Sequence, residues 1–206
     1  MKILKIALAI ITIILSSNAY AALYERLGGA AYYDDVADLT WLSDANVGGR
    51  LRNWNQANNW ALNLNINGID DWRLPNTLQP DPSCSTIRNG LSQGRNCTGS
   101  ELGNMFYNVL GGTSGTAISA SHNANYDLFT NIQDFFYWSA TQPDSGYAWV
   151  FHFDSGSQEA LPTVDIIAGS TWAVRSGDIS PVPLPAAVWL FASGLISLIC
   201  LRRRNF

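Results

Sequence analysis

Two histidines, three cysteines and sixteen carboxylates are the side chains of this 206-residue sequence whose types could do chemistry. His122 or His152 could act as a general base beside Ser121 or Ser139, because an imidazole titrates near neutrality and can take a hydroxyl proton. Nothing in their spacing fixes a nucleophile. We read no Gly-x-Ser-x-Gly elbow, no His-Glu-x-x-His helix and no glycine-rich phosphate loop, so no catalytic residue is assigned and an enzyme is not expected. The doublets Asp34-Asp35 and Asp70-Asp71 could share hydrolytic work or bind calcium, a hard cation that wants several oxygens. Neighbours along an extended segment point to opposite faces, however, so a doublet is not a site by itself. With neither an EF-hand loop nor a Glu-Pro-Asn triplet, calcium stays open only as the weakest reading, and no other cofactor is expected. Cys84 and Cys97 with two distant histidines make a poor zinc set.

Aromatic and cationic groups suggest a second kind of chemistry. Trp72-Arg73-Leu74-Pro75 and Trp138-Ser139 could form a sugar platform, since an indole face stacks on the apolar face of a pyranose. The competing reading is that Trp41, Trp54, Trp72, Trp138 and Trp172 fill the core, and this is the one we expect. Arg73 and Arg175 should then close buried or half-buried bonds to carboxylates such as Asp71 or Asp44.

Such residues need elements to position them. Tyr32 to Val36 and Leu39 to Leu42 read as a hairpin with its turn at Asp34, Asp35 and Asp38. Trp54, Ala57, Trp60, Ala61 and Leu64 recur at helical spacing behind Asn53, a natural N-cap, and Gly68 ends that helix. Pro75 keeps Leu74 extended. The stretch from Asn76 to Gly99, rich in Pro, Ser, Asn and Gly, reads as a loop. Thr98-x-x-Glu101 has capping-box spacing ahead of a stripe of Leu102, Met105, Phe106 and Val109, closed by Gly111-Gly112. Tyr147, Trp149, Phe151 and Phe153 alternate as in a strand, and Thr171 to Arg175 reads as the last strand. Two helices between strands at both ends imply an α+β domain whose termini meet in one mainly antiparallel sheet.

Both ends of the sequence read as targeting segments. Lys2 and Lys5, the apolar run Ile6 to Leu15 and the Ala19-Tyr20-Ala21 signal make residues 1–21 a signal peptide cut after Ala21. Residues 180–206 hold Val182-Pro183-Leu184-Pro185-Ala186 and an uncharged stretch to Leu201. That stretch only just supplies the roughly 20 apolar residues of a transmembrane helix. Arg202, Arg203 and Arg204 should stay cytoplasmic, which places residues 22–179 outside. There, seven arginines against sixteen carboxylates leave a net charge of about minus nine and no lysine, a field that repels nucleic acid. Export would favour pairing Cys84 with Cys97, whereas Cys200 falls in the tail.

Five segments in order resemble the Lcl C-terminal domain family: Leu39-Thr40-Trp41-Leu42 with Asp44-Ala45-Asn46, Trp54 with Ala57, Asp71 to Pro75, Tyr137 to Thr141, and Trp172 to Arg175. The resemblance implies a C-type-lectin-like fold, with paired terminal strands and a long loop region that carries binding surface. Residues 182–191 resemble a sorting tail of the PEP-CTERM type, which implies processing by an exosortase in the envelope of a polysaccharide-producing bacterium. The related formylglycine-generating enzymes depend on cysteines near the C-terminal core, a region that Cys84 and Cys97 precede. Together the two resemblances imply a surface or matrix protein, membrane-held before processing, whose domain binds polysaccharide or a surface partner. The alternative is a structural component of envelope or biofilm matrix without a soluble ligand. The family adhesin is linked to sulfated glycans, a class that minus nine disfavours here.

Overall fold

A computed structural model describes residues 22–179. The expected signal peptide with Ala19 and Ala21, the sorting motif at 182–186, Cys200 and the arginines at 202–204 lie outside the described residues. Among the described residues, no helix is long and apolar enough to cross a membrane.

The domain is α+β with two mainly antiparallel sheets where one was expected. The first has the order β1 (Leu23–Arg26), β2 (Ala31–Asp34), β3 (Leu39–Leu42), β9 (Val174–Ser176), so strands from both ends of the domain meet in it as the sequence suggested. The second has the order β4 (Thr86–Arg88), β5 (Leu91–Arg95), β8 (Ser157–Pro162), β7 (Tyr147–His152), β6 (Phe136–Trp138). Helix α1 (Trp54–Leu62) opens on a capping box in which Asn53 and Gln56 satisfy each other's backbone amides, the arrangement that removes two orphan donors at once. Helix α2 (Glu101–Asn104) runs on into a π-helical stretch, Met105–Val109. Beyond it lies a single short turn, α3 (Ile118–Ser121).

Several local expectations need correction. The segment 76–99 is not wholly loop, because it contains the β4–β5 hairpin. Its turn residues Asn89 and Gly90 both have positive φ, the Asn-Gly signature of a tight hairpin turn. The Thr98–Glu101 capping box does not form: Ser100 occupies the N-cap position, and Glu101 turns its carboxylate to Arg73. A two-pronged, charge-assisted bond outweighs a neutral cap. Strands β1 and β8 have no counterpart among the expected elements, and the last strand, Val174–Ser176, overlaps the expected stretch Thr171 to Arg175 only at Val174 and Arg175.

Burial explains the packing. One core cluster joins Trp41, Leu42, Val174 and Trp172 to Met105 and Phe106 of the α2 segment, to Tyr137 and Phe151 of the second sheet, and to Phe153 just past β7. Its rings meet mostly edge-on or tilted, with Trp41 and Trp172 centroids 5.2 Å apart and Phe106 and Phe153 5.4 Å apart, the geometry that ring quadrupoles favour. A second cluster sets Ala57 and Ala61 of α1 against Trp138, Val150 and Ala148 on the other face of the second sheet. Small alanines on that helix face let it lie close to the large indole.

Candidate functional site

The tryptophan motifs are interior. Trp41, Trp72, Trp138 and Trp172 are all buried, so neither Trp72 nor Trp138 offers an exposed face. Trp54 departs from the core expectation: it is half-buried, and its indole N–H donates to the Ser139 carbonyl at 2.8 Å. The indoles of Trp72, Trp138 and Trp172 donate to the carbonyls of Ile69, Arg52 and Leu42. The Arg73-Leu74-Pro75 segment is a seam between the sheets: Arg73 exchanges backbone bonds with Val174 beside β3, and the Pro75 carbonyl accepts from Ala140 just past β6.

The charged motif residues find partners. Arg175 makes a two-pronged pair with Asp71, both contacts at 2.9 Å, the partner expected but at an exposed rather than a buried site. Arg73 pairs instead with Glu101, at 2.7 and 2.8 Å, and Asp44 accepts from the Asn46 amide in a local turn. Arg26 and Asp178 form a third two-pronged pair, at 2.6 and 2.9 Å. These pairs hold the Asp71 and Asp178 carboxyls below the usual carboxylate range, chiefly through the hydrogen bonds from Arg175 and Arg26.

The polar groups singled out for catalysis do not assemble. His122 stacks on Tyr126 with centroids 4.0 Å apart, while Ser121 donates to the Ala117 carbonyl and accepts from the Thr113 amide. Ser139 is buried and accepts from the Thr77 hydroxyl and the Thr141 amide. His152 lies between Glu159 at 2.8 Å and Asp154 at 3.7 Å. No described contact joins either imidazole to a serine hydroxyl. One segment escaped the sequence reading: Gly90-Leu91-Ser92-Gln93-Gly94 does have Gly-x-Ser-x-Gly spacing. It lies along β5 rather than at a strand-to-helix turn, and the buried Ser92 hydroxyl accepts from the Asp81 amide at 2.9 Å.

Metal chemistry fares no better at the places expected for it. The Asp34-Asp35 doublet splits, with Asp34 buried and Asp35 exposed, whereas Asp70 and Asp71 are both exposed and Asp71 is taken up by Arg175. Asp81, Cys84 and Cys97 come together, but the two sulfurs are joined in a disulfide. The Asp81 carboxylate is already engaged by the Ser83 amide and hydroxyl and by the Gly99 amide.

What the structure does build is a crevice of about 300 Å³ at the β2–β3 turn. Val36, Ala37 and Leu39 form one wall, and Thr98, Gly99, Glu101 and Asn104 form the other. Each wall is held by an aspartate. Asp34 accepts from the Val36 and Ala37 amides at 3.0 and 3.1 Å and so fixes the apolar wall. On the polar wall, Gly99 is bound to Asp81 and Thr98 to the Ser83 hydroxyl, next to the disulfide at Cys97. Glu101 is spent on Arg73 and the Asn76 amide, so the crevice offers hydroxyl and amide groups rather than a free charge. Burial raises the Asp34 carboxyl above its ordinary value, and its second oxygen has no hydrogen-bond partner. Sequence reading missed this site because its walls lie roughly sixty residues apart in the chain, a tertiary contact that no local spacing encodes. Comparison with protein-family models, with curated proteins and with solved structures finds no match.

Proposed function

We propose that residues 22–179 form a non-catalytic recognition module for extracellular polysaccharide or another surface partner. In this reading the module is a C-type-lectin-like domain of the Lcl C-terminal kind, exported by residues 1–21. The tail then holds it at the membrane until an exosortase processes it. One observation carries the proposal: a crevice with one apolar and one hydroxyl-and-amide wall, both fixed by part-buried hydrogen bonds to aspartates, suits a ring that has an apolar face and a hydroxylated rim. Pre-organised walls of this kind reduce the ordering cost of binding. The test is a glycan array probed with the secreted form. Reproducible binding that is lost on Asn104→Ala together with Thr98→Val supports the proposal, and a blank array rejects the polysaccharide reading.

A second reading, a structural matrix component, is favoured by β4, an edge strand exposed along its length with Ile87 at 66% exposure. Unprotected edges of this type pair with other chains. Concentration-dependent self-association that Ile87→Lys abolishes would select this reading.

A further inference from the structure

The first sheet carries a pair of tyrosines on the face opposite the crevice residue Leu39. Leu23, Asp34, Leu39 and Ser176 are paired across the four strands of that sheet. The adjacent row is Tyr24, Tyr33, Thr40 and Arg175, and it takes the opposite face because successive residues alternate. Tyr24 is 46% exposed, and its ring lies 6.5 Å from that of Tyr33 at a tilt of 35°. The Arg26 guanidinium lies 5.6 Å from each ring centroid and is locked by Asp178 and by the Glu25 carbonyl. Tyr33 donates its hydroxyl to Asp38 at 2.9 Å. Asp38 directly precedes Leu39, so the turn that carries Val36, Ala37 and Leu39 into the crevice is the one Tyr33 braces from the other face.

We propose that Tyr24 and Tyr33 form a second subsite, continuous with the crevice around the β2–β3 turn, and that the two together take successive units of a neutral polysaccharide chain. The proposal rests on the recognition reading above and adds the ligand's charge class and its length. Neutrality follows from the charges. Arg26, Arg73 and Arg175 are each matched by a carboxylate, whereas Asp35 and Asp38 at the turn and Asp70 near Arg175 are exposed. A sulfated, phosphorylated or uronic chain would approach an excess of negative charge with no free guanidinium to receive it. Length follows from the layout: a fixed tyrosine pair gives a sugar ring an apolar surface, and engaging it through a chain already seated in the crevice costs little further entropy.

The test titrates the full-length chain in detergent with neutral oligosaccharides of one to six units, built from glucose, galactose, mannose or N-acetylglucosamine, and with their sulfated counterparts. Affinity should rise with length for a neutral series. Tyr24→Ala should lower affinity for the longer members about three- to tenfold, the scale of one aromatic contact. The same change should leave the shortest members and the melting temperature unaltered, and Tyr24→Phe should behave as the parent. Equal binding by Tyr24→Ala at every length, or stronger binding of the sulfated series, overturns the inference while leaving recognition intact. No binding by any member of the panel overturns the inference and the polysaccharide reading with it.

Discussion

Asp34 shows at a single residue how this fold trades an electrostatic cost for local order. One oxygen holds the turn, the other is buried without a partner, and desolvation raises the carboxyl. A folded value above the unfolded one, about 3.9, means that the native state holds this proton more tightly. Stability is therefore full below the unfolded value and falls as pH rises through the raised one. Asp34→Asn keeps an oxygen for the two amides, so denaturant unfolding from about pH 4 to 7 should show this downward slope in the parent and not in the variant. Asp71 and Asp178 act with the opposite sign, since their folded values are lowered. Their contribution is present above the unfolded value and is lost as pH falls through the lowered one. The double variant Asp71→Asn, Asp178→Asn should lose less stability on acidification, by a small margin because both groups are partly solvated. Residue types in the sequence conveyed that Arg73 and Arg175 would be paired and that Trp41, Trp72, Trp138 and Trp172 would be interior. They did not convey that Arg73 would choose Glu101, because the α2 segment reaches Arg73 only through the tertiary fold.

At the scale of elements, Gly103 decides how closely α2 can pack. An alanine in a helix normally gains about 1 kcal/mol over glycine, but a Cβ at Gly103 would come within 1.8 Å of the Cys97 carbonyl oxygen and 3.1 Å of the Phe151 ring. A backbone atom cannot step aside as a side chain can, so the clash outweighs the propensity. Gly103→Ala should lower unfolding free energy by about 1–3 kcal/mol, read from denaturant midpoints. Elements with a strong period were legible: α1 from its apolar spacing and Asn53, the β2–β3 hairpin from two β-prone runs, and β7 from its alternation. Strands β4, β5 and β8 were not. Thr86–Arg88 is exposed throughout and Ser157–Pro162 mixes polar and apolar residues without alternation, so their pairing comes from neighbours rather than from their own pattern.

For the whole molecule, the disulfide fastens the loop region to the sheets. Cys84 and Cys97 are 13 residues apart, a separation for which chain-entropy arguments give roughly 3 kcal/mol. Cys84→Ser with Cys97→Ser should cost about 2–4 kcal/mol. A reductant should lower the parent's unfolding midpoint by a similar amount and leave the double variant's midpoint unmoved. The crevice itself was illegible in sequence, because its walls come from a hairpin turn and a disulfide-bound segment that only the folded chain brings together. The cross-sheet row Leu23, Asp34, Leu39, Ser176 has a mechanical consequence. It places the outermost strands' free ends on one side of the sheet, three strand spacings or roughly 14 Å apart. Tension applied between those ends acts along the hydrogen bonds and perpendicular to the strands. The first sheet should therefore unzip bond by bond at low force instead of resisting in shear.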